Sequence, residues 1–160
     1  MLTLGIDPGT ATTGFGLIKE KKDRLAFVDH GIISTSKKDS PQDRLRKIYI
    51  ELKNLLIEFK PGSVAIERLF FGKNSKTAIA VGQARGLALL AAAELKIPIA
   101  EYTPLQVKMA ITGYGKADKK QVQQMVKALL RLDFIPKPDD AADALAIAIT
   151  HLHSYKLENL

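Results

Sequence analysis

Residues 139–153 read DDAADALAIAITHLH. Ala144, Leu145, Ala148, Ile149 and Leu152 recur at helical spacing, so the stretch is expected to form a helix of core-like composition. Pro136 and Pro138 stop whatever precedes it. Asp139 stands where an N-cap is expected, and Asp140 falls in the first turn, where the helix dipole favours negative charge. Capping and dipole account for those two acids as well as any chemistry would. They do not account for Asp143, which is flanked by Ala141, Ala142, Ala144 and Leu145 in a stretch apolar enough to be core. A carboxylate held there needs a cation or several hydrogen-bond donors. Asp140 and Asp143 are three apart and share a helix face. The helix therefore presents two acids to something positive.

The chain around this helix has 160 residues, which fits a single domain, residues 1–160, with one sizeable core. Hydrophobic residues make up 46%, and mean hydropathy is near zero, as in a water-soluble globular protein. Lys and Arg number 24 against 17 Asp and Glu, a net charge of +7. That balance favours a polyanionic partner, nucleic acid being the commonest. There is no cysteine, which excludes disulfides and thiolate metal sites and fits a reducing cytoplasm. MLTLGIDPGT lacks the basic start and long apolar run of a signal peptide, so a cytoplasmic location is expected.

Residues 2–6 form a short apolar run that ends in Asp7-Pro8-Gly9-Thr10. This is expected to be a central strand that stops at an acid and turns. Residues 12–19 and 25–34 are expected to be the next two strands, turning at Lys22-Asp23, in an antiparallel meander. Asp7 then lies at a strand exit, where sites gather in α/β sheets, although a lone Asp-Pro-Gly is more often a simple turn. Ser40-Pro41 opens a helix with an N-cap and Pro at its first position. Leu45, Ile48, Leu52, Leu55, Leu56 and Phe59 make its apolar stripe, and Arg44, Arg46, Lys47 and Lys53 a solvated face. After Lys60-Pro61-Gly62, residues 63–66 are expected to be a buried strand that ends in Glu67. Two strand ends and the acidic helix can bring Asp7, Glu67, Asp140 and Asp143 together. Clustered carboxylates repel one another, and hard divalent cations relieve that repulsion. Oxygen ligands without cysteine point to Mg²⁺ or Mn²⁺ rather than zinc.

Four separated motifs, GIDPGT, AIERLFFGKN, GQARG and DAADALAIAITHLH, together resemble the RuvC family of bacterial Holliday-junction resolvases over nearly the whole chain. The resemblance implies an RNase H-like α/β fold, a five-stranded mixed sheet flanked by helices. It makes Asp7, Glu67, Asp140 and Asp143 the catalytic acids, holding two Mg²⁺ ions with Asp7 as the bridge. The implied reaction is hydrolysis by an in-line water, making paired symmetric nicks in a four-way DNA junction. It would leave 5′-phosphate and 3′-hydroxyl ends during recombination and repair. The resemblance also implies a homodimer, with RuvA and RuvB as branch-migration partners.

In residues 69–76, LFFGKNSK, aromatics mix with basic and small polar residues. Aromatics stack on exposed bases and Lys neutralises phosphate. Two adjacent Phe cannot both face inward on a strand, so one is expected at the surface. By resemblance Phe70 is the wedge that stacks on a base near the crossover, and Lys73 and Asn74 contact the backbone. Residues 77–95 are expected to form a helix apolar almost all round, hence buried. Gln83 and Arg85 make it a poor membrane span. Gly82 and Gly86 would permit a close helix approach, and by resemblance the helix also serves the dimer interface. A fifth strand is expected over residues 97–102, then a helix opened by Thr103-Pro104, a flexible Gly113-Tyr114-Gly115 turn and an amphipathic helix over residues 118–132. Most of its lysines read as a solvated face. By resemblance Lys108 and Lys119 lie near the acids and contact DNA. His151 and His153 are expected to be surface groups rather than ligands.

Other classes fit parts of the sequence. GIDPGT also resembles the first phosphate loop of actin-like and Hsp70-like ATPases, which need a second domain that 160 residues cannot hold. A non-catalytic nucleic-acid-binding module would gain nothing from clustered acids near phosphates. A relative of the same fold acting on RNA or another branched DNA is separated least well.

Overall fold

The computed structural model describes residues 1–68 and 75–159. Phe70, Lys73 and Asn74 therefore lie outside the described residues, as does the question of which adjacent Phe is exposed. Strands β1 (Leu2–Asp7), β2 (Thr12–Lys21) and β3 (Arg24–Ser34) form the expected antiparallel meander. The β2–β3 turn holds because Lys22 and Asp23 both take positive φ, 49° and 61°, the twist that tight hairpins require. Helix α1 (Pro41–Phe59) follows, with Ser40 Oγ accepting from the Asp43 amide at 3.2 Å. Strand β4 (Ser63–Glu67) then enters parallel to β1. Helix α2 (Ser75–Glu94) leads to β5 (Ile99–Tyr102), parallel to β4. Helices α3 (Pro104–Thr112), α4 (Lys119–Leu129) and α5 (Asp139–Glu158) complete the chain. The sheet order is β3-β2-β1-β4-β5. This is the five-stranded mixed sheet of the RNase H-like fold.

Strand periodicity sends alternate side chains into two cores. Leu4, Ile6, Leu17, Val64 and Ile66 meet α1 and α2 through Ile48, Leu52, Leu56, Ala88 and Ala91. Ile18 and Ala65 point the other way, into a core with Leu145, Ile149, Val107, Ile111 and Val126 from α5, α3 and α4. Asp7 and Glu67 are one and two residues beyond Ile6 and Ala65, so both acids emerge on the α5 side. Parallel pairing puts Ile6 opposite Ile66, which sets the two acids on neighbouring strand ends.

Several element bounds differ from expectation. β5 begins at Ile99 because the Ile97 amide is spent on Ala92 O at 2.9 Å, closing α2, and Pro98 has no amide to give. α4 is shorter because Asp118 is its cap and Arg131 turns left-handed at φ 53°. The largest correction concerns α2. Its small residues Ala84, Ala88, Ala91 and Ala92 are buried, but Ile79 is 67% and Leu90 50% exposed. A Cβ added at Gly86 would meet nothing within 4 Å. The helix buries one face only, and Gly86 serves no close approach within this chain. The basic side of α1 is also less free than expected. Lys47 Nζ donates to Ser34 O at 2.7 Å, and Lys53 pairs with Glu94 at 2.9 Å. Among the described residues, no helix is long and apolar enough to cross a membrane.

Candidate active site

Helix α5 lies directly on β1 and β2, and glycines make that approach possible. Gly5 and Gly14 have their missing side chains aimed at the α5 backbone. A Cβ at either would stand 2.0 Å from a carbonyl oxygen, that of Ala144 over Gly5 and of Asp140 over Gly14. Only hydrogen fits there. Because Gly14 is also the register partner of Asp7, the first turn of α5 comes down beside the end of β1. One carboxylate oxygen each from Asp7, Asp140 and Asp143 then falls within 4.8 Å of the others. All three residues are partly buried. Thr12 Oγ1 donates a short hydrogen bond to Asp140 Oδ2, fixing that carboxylate from the start of β2.

The electrostatics match this crowding. Burial, followed by the charges of Glu67, Asp143 and Asp140, pushes the Asp7 carboxyl up to about 8. Glu67 is raised by burial and then by Asp143, with Lys119 and Lys108 opposing. Asp143 is also raised by burial, against Lys119. Lys119 Nζ lies 3.4 Å from Asp143 Oδ2 and 3.5 Å from Asp139 Oδ2. Its burial works against the charge, but Asp143 and Asp139 outweigh that and hold the ammonium above its ordinary range. One lysine thus faces a group of acids that it cannot neutralise. The donor set is hard oxygen only, and its members repel one another, which suits a divalent cation. A cavity of about 290 Å³ opens beside the cluster, lined by Glu67 and Asp143 together with Lys108 and Lys119.

All four expected acids therefore converge on one end of the sheet, with Lys119 beside them and Lys108 in the same cleft. Asp139 does not cap α5. Pro138 holds the N-cap position without a side-chain bond, and its carbonyl accepts from the Ala141 and Ala142 amides at 3.0 and 3.2 Å. That frees the Asp139 carboxylate to turn toward α4, where Gln123 Nε2 donates to it at 3.0 Å. His151 is also misplaced by the sequence reading. It is 8% exposed, with Nδ1 2.9 Å from Tyr102 Oη, because the α5 face carrying it covers β5. Thr12, Gly5 and Gly14 were missed altogether. The one available signal was glycine recurring inside strands, which marks a close backbone approach.

Comparison with known proteins agrees with this geometry. The family model described as crossover junction endodeoxyribonuclease RuvC matches residues 3–151. The crossover junction endodeoxyribonuclease RuvC of Syntrophomonas wolfei is 56% identical over 159 residues, covering 99% of this chain and 92% of that protein. Its counterpart from Desulfitobacterium hafniense is 57% identical, covering 99% and 96%. The solved structure of Thermus thermophilus RuvC in complex with a Holliday junction substrate superposes with a TM-score of 0.94 at 36% identity, covering 99% of this chain and 96% of that one.

Proposed function

This chain belongs to the RuvC family of crossover junction endodeoxyribonucleases, and from that premise we propose that it resolves four-way DNA junctions by paired, symmetric, Mg²⁺-dependent nicks. The observation that carries the reading is the carboxylate trio of Asp7, Asp140 and Asp143 within 4.8 Å. Burial and the neighbouring acids push the carboxyl of Asp7 up to about 8. Asp7, Glu67, Asp140 and Asp143 are the proposed catalytic residues and would hold two Mg²⁺ ions, with Mn²⁺ able to substitute. Bound there, the ions would supply Lewis acidity toward the attacking water and the departing 3′ oxygen, leaving 5′-phosphate and 3′-hydroxyl ends. The chain's own groups do the rest. Thr12 orients the Asp140 carboxylate. Lys119 adds a positive charge next to Asp143, where a phosphate gaining charge in the transition state would be stabilised. Lys108 extends that charge along the cleft, and together the lysines position the backbone. Phe70 would stack on a base near the crossover, with Lys73 and Asn74 on adjacent phosphates.

Residues 1–160 act as one nuclease domain in this reading. Among the described residues there is one acid cluster, so paired nicks need two chains. A four-way junction is two-fold symmetric, and a two-fold dimer would set one cluster at each cut strand. The outward face of α2, with Ile79 and Leu90 exposed, is the proposed contact. The protein would work in the cytoplasm, in recombination and repair, alongside the branch-migration proteins RuvA and RuvB. The test is a nicking assay with purified protein and Mg²⁺ on a four-way junction, a linear duplex and a structured RNA. Symmetric paired cuts confined to the junction are expected. Equal cutting of duplex or RNA would overturn the substrate assignment, and activity unchanged in Asp7→Asn would overturn the site.

A further inference from the structure

The acid-bearing cleft does not end at Lys119. Ala117 and Asp118 line it on one side and line a second, larger groove on the other, about 590 Å³ in volume. The second groove runs between the end of α3 and the outer face of α4, and Tyr114, Lys120, Gln124 and Met125 contribute to its walls. Tyr114 is 56% exposed, yet its backbone is pinned. Its amide donates to Thr112 Oγ1 at 3.1 Å, and its carbonyl accepts from the Ala117 amide at 3.1 Å. Gly113 supplies the left-handed turn, φ 72°, that this loop requires. An exposed aromatic ring is therefore held on a fixed backbone at the mouth of the groove, where an exposed tyrosine on a loose loop would pay an ordering cost on binding. Lys120 lines the groove, Lys116 follows Tyr114 by two residues on the same loop, and both lysines are exposed. The groove's one acid, Asp118, accepts from the Gln121 amide at 2.8 Å as the α4 cap, so its carboxylate is committed to the helix.

We propose that this second groove is a DNA subsite adjoining the cleft. In it Tyr114 packs against a nucleobase or sugar of the strand leaving the scissile phosphate, and Lys116 and Lys120 each neutralise one phosphate. Adjacency to the cleft, with Ala117 and Asp118 common to both linings, and the sign of the nearby charge argue for this occupant. The inference rests on the junction-cleaving function above but assigns residues that function does not need. A subsite of this kind binds substrate without touching the reacting atoms, so its loss changes affinity while the cut itself survives.

The experiment measures junction binding in Ca²⁺, with salt varied, and single-turnover cleavage at saturating protein in Mg²⁺. The proteins are the wild type, Tyr114→Ala, Tyr114→Phe, the Lys116→Gln/Lys120→Gln pair and Lys127→Gln. Tyr114→Ala should weaken binding about ten-fold, as loss of one stacked group does, and Tyr114→Phe should restore it. The double lysine variant should lower the slope of log affinity against log salt by about 1.8, roughly 0.9 per phosphate. Lys127→Gln should leave the slope unchanged. Cleavage at saturation should stay near wild type throughout. A wild-type protein that cuts junctions, beside Tyr114 and lysine variants with unaltered affinity and slope, would overturn the subsite and leave the function standing. A ten-fold loss that Phe does not rescue would overturn the stacking role. A wild-type protein that neither binds nor cuts would remove both.

Discussion

Gly14→Ala should disable the nuclease while leaving every candidate catalytic side chain in place. The added methyl carbon would lie 2.0 Å from the Asp140 carbonyl oxygen, and real contacts of this kind essentially never fall below 3.0 Å. The first turn of α5 must therefore retreat by roughly 1 Å, because its obstacle is backbone rather than a flexible side-chain tip. Asp140 and Asp143 ride on that turn, and Asp7 does not. The three oxygens now gathered within 4.8 Å would separate, and the Thr12 bond to Asp140 would stretch with them. A misplacement of about 1 Å at a reacting centre costs on the order of 100-fold in rate. Overpacking of this kind also costs about 1–3 kcal/mol of stability, which in a chain of this size lowers Tm by about 2–4 °C per kcal/mol. Single-turnover cleavage of a four-way junction in Mg²⁺ reads the first effect and a thermal melt the second. The expected pattern is a modest loss of Tm with a much larger loss of rate, and weakened binding of Mg²⁺. If Gly14→Ala cuts within about two-fold of wild type, the helix–sheet contact does not set the acid geometry and this reasoning fails.

The metal-free protein should lose stability as pH rises from about 4 to about 8. Over that range folded Asp7 still holds a proton that the unfolded chain, with its ordinary carboxyl at 3.8, has already released. Asp7→Asn should flatten that slope and raise the metal-free Tm near pH 8, and Mg²⁺ should raise it in the wild type by binding the ionised acids. Metal-free melts that are level or rising across that window would contradict the placement of Asp7. Lys119→Ala should slow cleavage by roughly 100- to 1000-fold, the scale seen when a transition-state donor is lost, whereas Lys127→Ala should not. Equal rates for the two variants would take Lys119 out of the mechanism. Phe70→Ala should abolish most cleavage while keeping the fold and most junction affinity, measured by melting and by gel shift. An unchanged rate would exclude the wedge.

Much of this architecture is written in short-range signals. Ser40-Pro41 and Thr103-Pro104 announce two helix starts because capping and the fixed φ of proline act within one turn. Leu4 and Ile6 alternate with Gly5 because a strand's period is two, and that alternation alone places Asp7 on the face opposite those two core residues. Asp143 among alanines announces a buried charge wherever the helix goes. These signals mark all four acids and the end of the sheet they share. The bounds of β5 and α4 were less legible, since Ile97 could extend a strand or close α2, and only the Ala92 carbonyl decides which.

The sequence alone determined the order of elements and marked the acids as candidates, because each of those signals follows from residues a few positions apart. Only the tertiary structure decided that the acids meet. That depends on Gly5 and Gly14 letting α5 rest on the sheet, on the parallel register of Ile6 with Ile66, and on Thr12 reaching Asp140 from 128 residues away. It also decided that His151 is buried against Tyr102 and that Ile79 and Leu90 face outward. Contacts between distant segments depend on how whole elements dock, and no local period or turn encodes that distance.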